Sequence, residues 1–272
     1  MVTQIKQQKL LLLNSQNYHS IEANKEYFSV SQFKNMLDCE ARTIAIINGD
    51  HQTSSSTALM VGSYTHAAFE SEDEFQKFHE ENHDSIFKSR GGKYAEYLQA
   101  DAMIETIKND PFAMFALDGE KEMILTAELF GAEWKIKVDS INFARKTFSD
   151  LKTTQSLSNR YWSDKYQKYV SFVQAYDYVL QMAIYREVIK QNIGEYFNPY
   201  IVAVTKESPP DKAVLHFDNT RFDFEIEYTK SMMDRFIRVK NGIVEPIRCD
   251  KCAYCRQTKQ LNNTFEIEYL LD

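Results

Sequence analysis

Apolar positions along this chain fall into helix-spaced and strand-spaced blocks. Residues 1–28 are polar and irregular and predict a poorly ordered lead-in. Ser29 or Ser31 then caps a helix in which Phe33, Met36 and Leu37, followed by Ile44 and Ile47, recur at helical spacing. A second helix is predicted over 58–70, an acidic segment over 72–84, and a break at Arg90-Gly91-Gly92-Lys93. A third helix carries Leu98, Met103, Ile104 and Ile107 and ends before Pro111. Residues 120–154 favour strands, with turn signals near Gly131 and Asn142. There Trp134, Ile136 and Val138 alternate with Lys135, Lys137 and Asp139, which puts Asp139 on the polar face of a half-buried strand. One or two helices rich in Tyr and Phe follow over 156–193. Short strands are expected over 200–205 and 214–217, then a helix over 222–240 and a cysteine-bearing tail. The order predicts one α/β domain with a helical N-terminal part, spanning 29–260 and followed by a tail over 261–272.

Composition narrows this reading only a little. With 272 residues the chain can bury a full core, and 8 Gly and 5 Pro are too few for a loop-dominated chain. The net charge of −7 does not favour a phosphate-binding surface as a whole, although it does not set the charge of a local groove. Lys135, Lys137, Arg145, Lys146, Lys152, Arg160, Lys165 and Lys168 gather in the middle of the chain, where most are expected on solvated faces. The apolar run at 10–13 is too short for a signal core or a membrane span, so a cytoplasmic protein without membrane contact is expected. Four cysteines in that setting point to thiol or metal chemistry rather than structural disulfides.

The candidate chemistry centres on Asp150-Leu151-Lys152. Side chains two apart on a strand leave the same face, so Asp150 and Lys152 enter one site, with Asp139 on the neighbouring strand. Two carboxylates and an ammonium suit metal-assisted phosphodiester cleavage: an acid holds a divalent cation and the lysine orients the attacking water. His66 is a candidate ligand, with Glu70 one helical turn later to line the site or hold the ring. His79 and His83 are four apart but lack a third ligand and read as an exposed acidic face. Gln181 and Tyr185 share a helical face and can hydrogen-bond a phosphate or a carboxylate. Cys249, Cys252 and Cys255 form C-x-x-C-x-x-C, and Cys39 is the one remaining thiol that can complete a four-ligand site. Such a link closes a loop of 210 residues between Cys39 and Cys249. In the chain-entropy picture that closure is worth on the order of 5 kcal/mol. A [4Fe–4S] cluster and zinc both fit the spacing, and the lack of a nearby His pair leans towards the cluster. The phosphate loop G-x-x-x-x-G-K-[ST], the elbow G-x-S-x-G and the zinc motif H-E-x-x-H are all absent.

Taken together, Gly62, His66, Glu70, Asp139, Asp150-Leu151-Lys152, Gln181 and Tyr185 resemble the PD-(D/E)XK nuclease superfamily in its RecB/RecE-like branch. The segment from Tyr27 to Lys34 and the cysteine tail from Arg248 to Arg256 are similar to phage and prophage exodeoxyribonuclease VIII-like proteins. The resemblance covers most of residues 27–260. It implies a restriction-endonuclease-like α/β fold with a central mixed sheet flanked by helices. It implies Mg²⁺ or Mn²⁺ held by His66, Asp139, Asp150 and the Leu151 carbonyl. Lys152 then places the water, while Gln181 and Tyr185 support the site or touch DNA. The activity implied is ATP-independent 5′→3′ degradation of linear double-stranded DNA in a bacterial host. Partners implied are a single-strand annealing protein and, in some relatives, further copies in a homo-oligomeric ring. Val138 stands where the family commonly has Pro, and the cysteine spacing is tighter than C-x-x-C-x₅-C of iron–sulfur nucleases. Two other readings compete: an iron–sulfur RecB-like nuclease acting on single-stranded or flap DNA, and a non-catalytic, metal-stapled DNA-binding scaffold.

Overall fold

Strands β1 (Glu120–Leu129), β2 (Ala132–Asn142), β3 (Thr147–Thr154), β4 (Tyr161–Ser163), β5 (Lys168–Val170), β6 (Asn198–Thr205) and β7 (Lys212–His216) build two sheets in this computed structural model. It describes residues 10–52, 56–261, 263–264 and 266–268. Five strands form a mixed sheet in the order β1-β2-β3-β6-β7, and β4 and β5 form a separate hairpin. All pairings in the large sheet are antiparallel except β3–β6, which is parallel. A parallel neighbour requires a long crossover, here residues 155–197. β1 and β2 are joined through Phe130 and Gly131, both at positive φ, as a tight hairpin requires. β2 ends at Asn142, whose Oδ1 accepts the Arg145 N–H at 3.0 Å and closes the next turn.

The helices are α1 (Ile21–Glu26), α2 (Val30–Asp38), α3 (Glu40–Asn48), α4 (Thr57–Glu70), α5 (Glu72–Glu81), α6 (His83–Ile86), α7 (Ala95–Lys108), α8 (Pro111–Leu117), α9 (Phe172–Ala175), α10 (Tyr178–Ile193), α11 (Thr220–Lys240) and α12 (Ala253–Gln257). They cover both faces of the large sheet. On one face Phe148, Ile201 and Ala203 pack with α2, α10 and α11. On the other Leu151, Val202 and Val204 pack with α4, α7 and α8. Burial on both faces is why β6 reads as an uninterrupted apolar run.

Four expectations change. The lead-in is ordered over 10–28, while residues 1–9 lie outside the described ones, as do 262, 265 and 269–272 of the expected tail. Tyr18, Tyr27 and Phe28 are buried there, and the Phe28 N–H donates to the Glu133 carbonyl at 2.7 Å. The expected single helix over 29–47 is two helices, because Cys39 takes an extended conformation and caps α3 with its thiol. A further helix, α8, begins at Pro111 rather than the chain merely ending one: Asp110 caps it, and proline suits a first helical turn. Residues 156–171 are not helical; they carry the β4–β5 hairpin, whose polar and aromatic residues mimic a helix-rich composition.

Candidate active site

The pairing of β2 with β3 covers only Ser140↔Ser149, Ile141↔Phe148 and Asn142↔Thr147. The next position would set Asp139 opposite Asp150, and there the ladder stops. The freed Leu151 N–H is a buried donor that needs an acceptor. It finds one in Asp139 Oδ2 at 2.9 Å. The alternation of β2 breaks at the same place. Val138 and Ile141 both reach the core under α10, while the Ser140 hydroxyl donates to the Leu117 carbonyl on α8 at 2.8 Å. Asp139 therefore sits where the strand peels away, open to a cleft of about 780 Å³.

His66 enters from α4, its Nδ1 3.1 Å from Asp139 Oδ2. Burial raises the Asp139 carboxyl, but His66 outweighs it, helped by Lys152 and the Leu151 N–H, and holds it at about 2. Burial lowers His66, and the Asp139 carboxylate more than reverses that. Asp150 behaves oppositely. Burial and then Asp139 push its carboxyl up, against Lys152 and His66. Adjacent acids with proton affinities driven apart are a common feature of functional sites.

Lys152 Nζ lies 2.5 Å from Asp150 Oδ2 and 4.8 Å from the centre of the Tyr178 ring. Burial lowers the ammonium, but Asp150 and Asp139 raise it further, so it stays protonated and can donate but not accept. The second Asp150 oxygen accepts the Gln181 side-chain amide from α10. Leu151 points its side chain into the core under α4 and α7. Tyr185 lies behind this arrangement: it lines a separate cavity of about 350 Å³ with Tyr18, Lys34, Lys135 and Gln181. Burial holds its phenol well above the usual range.

Other residues were placed less accurately by sequence. Glu70 lines the cleft, but Asp139 holds the His66 ring. His79 is half-buried beside Tyr64 and its Nδ1–H donates to the Phe75 carbonyl (2.9 Å), so only His83 fits the expected exposed face. Lys135 is buried rather than solvated, and its ammonium reaches the Tyr18 carbonyl and, at 2.8 Å, Asn24 Oδ1. Arg145 and Lys146 pair with Asp118 and Glu195, and do not line the cleft. Two residues lacked any sequence signal. Glu122, at φ 53° on β1, falls opposite Asp139 in the register of Lys121↔Ser140 and Met123↔Val138, and contacts Lys137 at the cleft. Lys34 donates to the Tyr176 carbonyl at 2.5 Å and lies 5.3 Å from the Tyr178 ring centre.

The four cysteines meet where the start of α3 packs against the segment that ends in α12. Their sulfurs all lie within 4.8 Å of one another, none in a disulfide. Cys39 Sγ is 3.5 Å from Cys255 Sγ and 3.9 Å from Cys252 Sγ; Cys249 Sγ is 4.0 Å from Cys255 Sγ. Backbone N–H groups of Arg42, Cys252 and Cys255 donate to the sulfurs of Cys39, Cys249 and Cys252. Such donors bring the Cys249 thiol down to about 6, whereas burial holds Cys255 at about 11. The group can hold a metal. Beside it the buried Glu40 takes both Arg235 Nε and a terminal Arg235 nitrogen at 2.7 Å, and also the Ile247 N–H at 2.7 Å. No helix among the described residues is long and apolar enough to cross a membrane.

The model of a family described as a PDDEXK-like domain of unknown function (DUF3799) matches residues 29–258. A crystal structure of a candidate exonuclease from Eubacterium rectale is 36% identical and covers 96% of this chain and 98% of its own, with a TM-score of 0.90. A crystal structure of SSO0001 is 14% identical over 83% of this chain and 91% of its own; its TM-score of 0.29 is too low to bear on the fold. No curated protein matches.

Proposed function

Since this chain belongs to the DUF3799 family of PDDEXK-like domains, a nuclease fold, we propose that it is a metal-dependent exonuclease acting on linear double-stranded DNA. The finer reading is digestion from an end, 5′→3′ and without ATP, by a domain over 29–260 in a bacterial cytoplasm. The single strands so exposed pass to an annealing protein, and further copies assemble as a ring around DNA.

The observation that carries this reading is the meeting of Asp139, Asp150, Lys152 and His66 where β2 leaves β3. The donor set fits a hard divalent cation. Asp150 is buried, with one oxygen accepting from Gln181 and the other 2.5 Å from the Lys152 ammonium. Asp139 is ionised at any ordinary pH. Oxygen ligands with one imidazole suit Mg²⁺ or Mn²⁺. His66, Asp139, Asp150 and the Leu151 carbonyl would hold it, and when bound it stabilises negative charge on the phosphate. Lys152, charged and anchored over Tyr178, donates to the attacking water and fixes its line of approach. Gln181 holds Asp150 in place, and Tyr185 backs Gln181 from the second cavity.

For the cysteines the geometry favours zinc over the cluster that the sequence leans towards. Zinc–sulfur bonds of ~2.3 Å in a tetrahedron set sulfurs about 3.8 Å apart, close to the 3.5–4.0 Å of three of the pairs here, with all four sulfurs within 4.8 Å of one another. A four-iron cluster fills the space between its thiolates with eight atoms and spreads them further.

The deciding experiment is digestion of end-labelled linear duplex by purified protein, with Mg²⁺ or with EDTA, beside Lys152→Ala. Mg²⁺-dependent loss of label that vanishes in the variant supports the nuclease, and the end lost first gives polarity. Intact duplex with correctly metallated wild type favours the scaffold reading instead.

A further inference from the structure

The crossover from Lys152 to Gln181 contains more chain than a connection needs. Between them stands the β4–β5 hairpin, paired Tyr161↔Val170, Trp162↔Tyr169 and Ser163↔Lys168. Val170 is buried, so one side of the ribbon is anchored. The other side carries Trp162 and Tyr169, exposed by 54% and 68%, with ring centres 5.5 Å apart. Large aromatic side chains on a two-stranded ribbon of three residues each gain nothing for folding when left in water.

The hairpin is nonetheless held stiffly. Lys165 pairs with Asp177 at 2.9 Å and with the buried Glu225, and the Tyr166 hydroxyl also donates to Glu225 on α11. Trp162 is fixed in turn by its indole N–H, which donates to Asp164 Oδ1 at 2.8 Å. From the anchored side of the ribbon a line of rings runs to the cleft. Tyr161 lies 5.4 Å from Tyr176, Tyr176 lies 6.1 Å from Tyr178, and Tyr178 underlies Lys152. Tyr176 and Tyr178 both line the cleft.

Charge points the same way. Residues 160–170 carry Arg160, Lys165 and Lys168 against Asp164 alone, in a chain whose net charge is −7. Arg160 and Lys168 are exposed and form no ion pair with any described residue. Lys206 lines the adjacent cleft wall and likewise has no acidic partner among the described residues. Preorganised rings beside unpaired cations are what single-stranded nucleic acid needs, because unpaired bases offer their faces and the backbone its phosphates. Bases within a duplex are already stacked and cannot use such a platform.

We propose that the β4–β5 hairpin is a stacking platform for single-stranded DNA, guiding an unpaired strand along Trp162, Tyr169 and Tyr176 at the mouth of the cleft. The proposal rests on the nuclease reading for where that strand leads, but not for its binding.

The chain offers a direct probe. It has two tryptophans, and Trp134 is fully buried, so quenching by a bound base reports on Trp162. A short oligothymidylate is titrated in EDTA, which prevents digestion, and emission is followed beside the anisotropy of a labelled strand. Saturable quenching that added salt reverses is expected. In Trp162→Phe the quenching disappears while the Trp134 emission remains. In Trp162→Ala/Tyr169→Ala the affinity falls roughly tenfold or more, for two lost stacking partners, with the melting temperature unchanged. Binding by anisotropy without quenching overturns the proposal. So does equal quenching by a blunt duplex, or undiminished affinity in the folded double variant, the result expected if the patch receives a protein instead. Because binding is read without Mg²⁺, its failure leaves the digestion result standing, and failed digestion leaves the quenching result standing.

Discussion

Gln181 on α10 donates its side-chain amide to Asp150 on β3, joining the crossover helix to the acid it leads away from. The contact holds one carboxylate oxygen, while the other faces Lys152. Partners of this kind set ligand orientation, and their loss costs about 10–100-fold in metal affinity or activity. Gln181→Ala is therefore expected to raise the Mg²⁺ concentration needed for half-maximal digestion, with folding intact. A metal titration of the digestion rate checks this, and a curve identical to wild type rejects the positioning role.

The two acids should separate in stability while their loss is expected to abolish cleavage alike. Asp139 is held at about 2 against an ordinary 3.8, so its ionised form stabilises the metal-free fold above about pH 4. That contribution, on the order of 2 kcal/mol, is lost as the pH falls through 2. Asp150 is pushed up, so its ionised form costs stability at neutral pH, and the cost disappears as the pH falls through its raised value. At neutral pH in EDTA, Asp139→Asn should melt below wild type by several degrees, and Asp150→Asn at or above it. Thermal melts of both, beside digestion assays showing neither active, decide the point.

Removing one cysteine tests the metal group. Cys252→Ser should lower the metal content and the melting temperature together, because the site joins α3 to the segment before α12. Zinc quantification and visible absorbance on the wild type distinguish one tetrahedral ion from a coloured cluster. An unchanged melt with no metal in either protein would remove the site from the account.

Lys240 on α11 is half-buried against Phe28 and donates to the Tyr27 carbonyl at 2.7 Å and to Gln32 Oε1 at 3.1 Å. Burial first, then Lys135, lowers its ammonium from 10.5 to about 7. Between those values the unfolded chain binds a proton that the folded chain does not, so stability gains with rising pH over that window. Lys240→Met should lose this gain. The melting temperature of wild type minus variant is expected to increase between about pH 7 and 10.5, and a constant difference contradicts it.

Periodicity carried the sequence reading well where one rule governed. The helix over 58–70, the strands around Gly131 and the pairing of Asp150 with Lys152 on one face all follow from a single repeat. It was least informative where two demands met in one residue. Cys39 lies within a helical pattern, but its thiol is wanted at the metal group and at the α3 cap, so the helix breaks there. The β4–β5 hairpin was invisible because its aromatic residues face water instead of a core. Glu122 joins the site through a register that sets it opposite Asp139, and no pattern along β1 alone states that pairing. Asp139 marks the end of a ladder, and no local pattern in the sequence states where two strands part.

The cysteine group also imposes an order in time. Its first thiol, Cys39, is made early, and the other three lie in the last part of the described chain. During synthesis Cys39 is a lone sulfur at a helix end until the ribosome has passed Cys255. The candidate site, built from residues between them, is complete in covalent terms well before that clasp can shut. A metal bound there would therefore act as a proof of length: a chain that stops before Cys249 can contain every acid of the candidate site and still lack the fastening between Cys39 and the segment after α11.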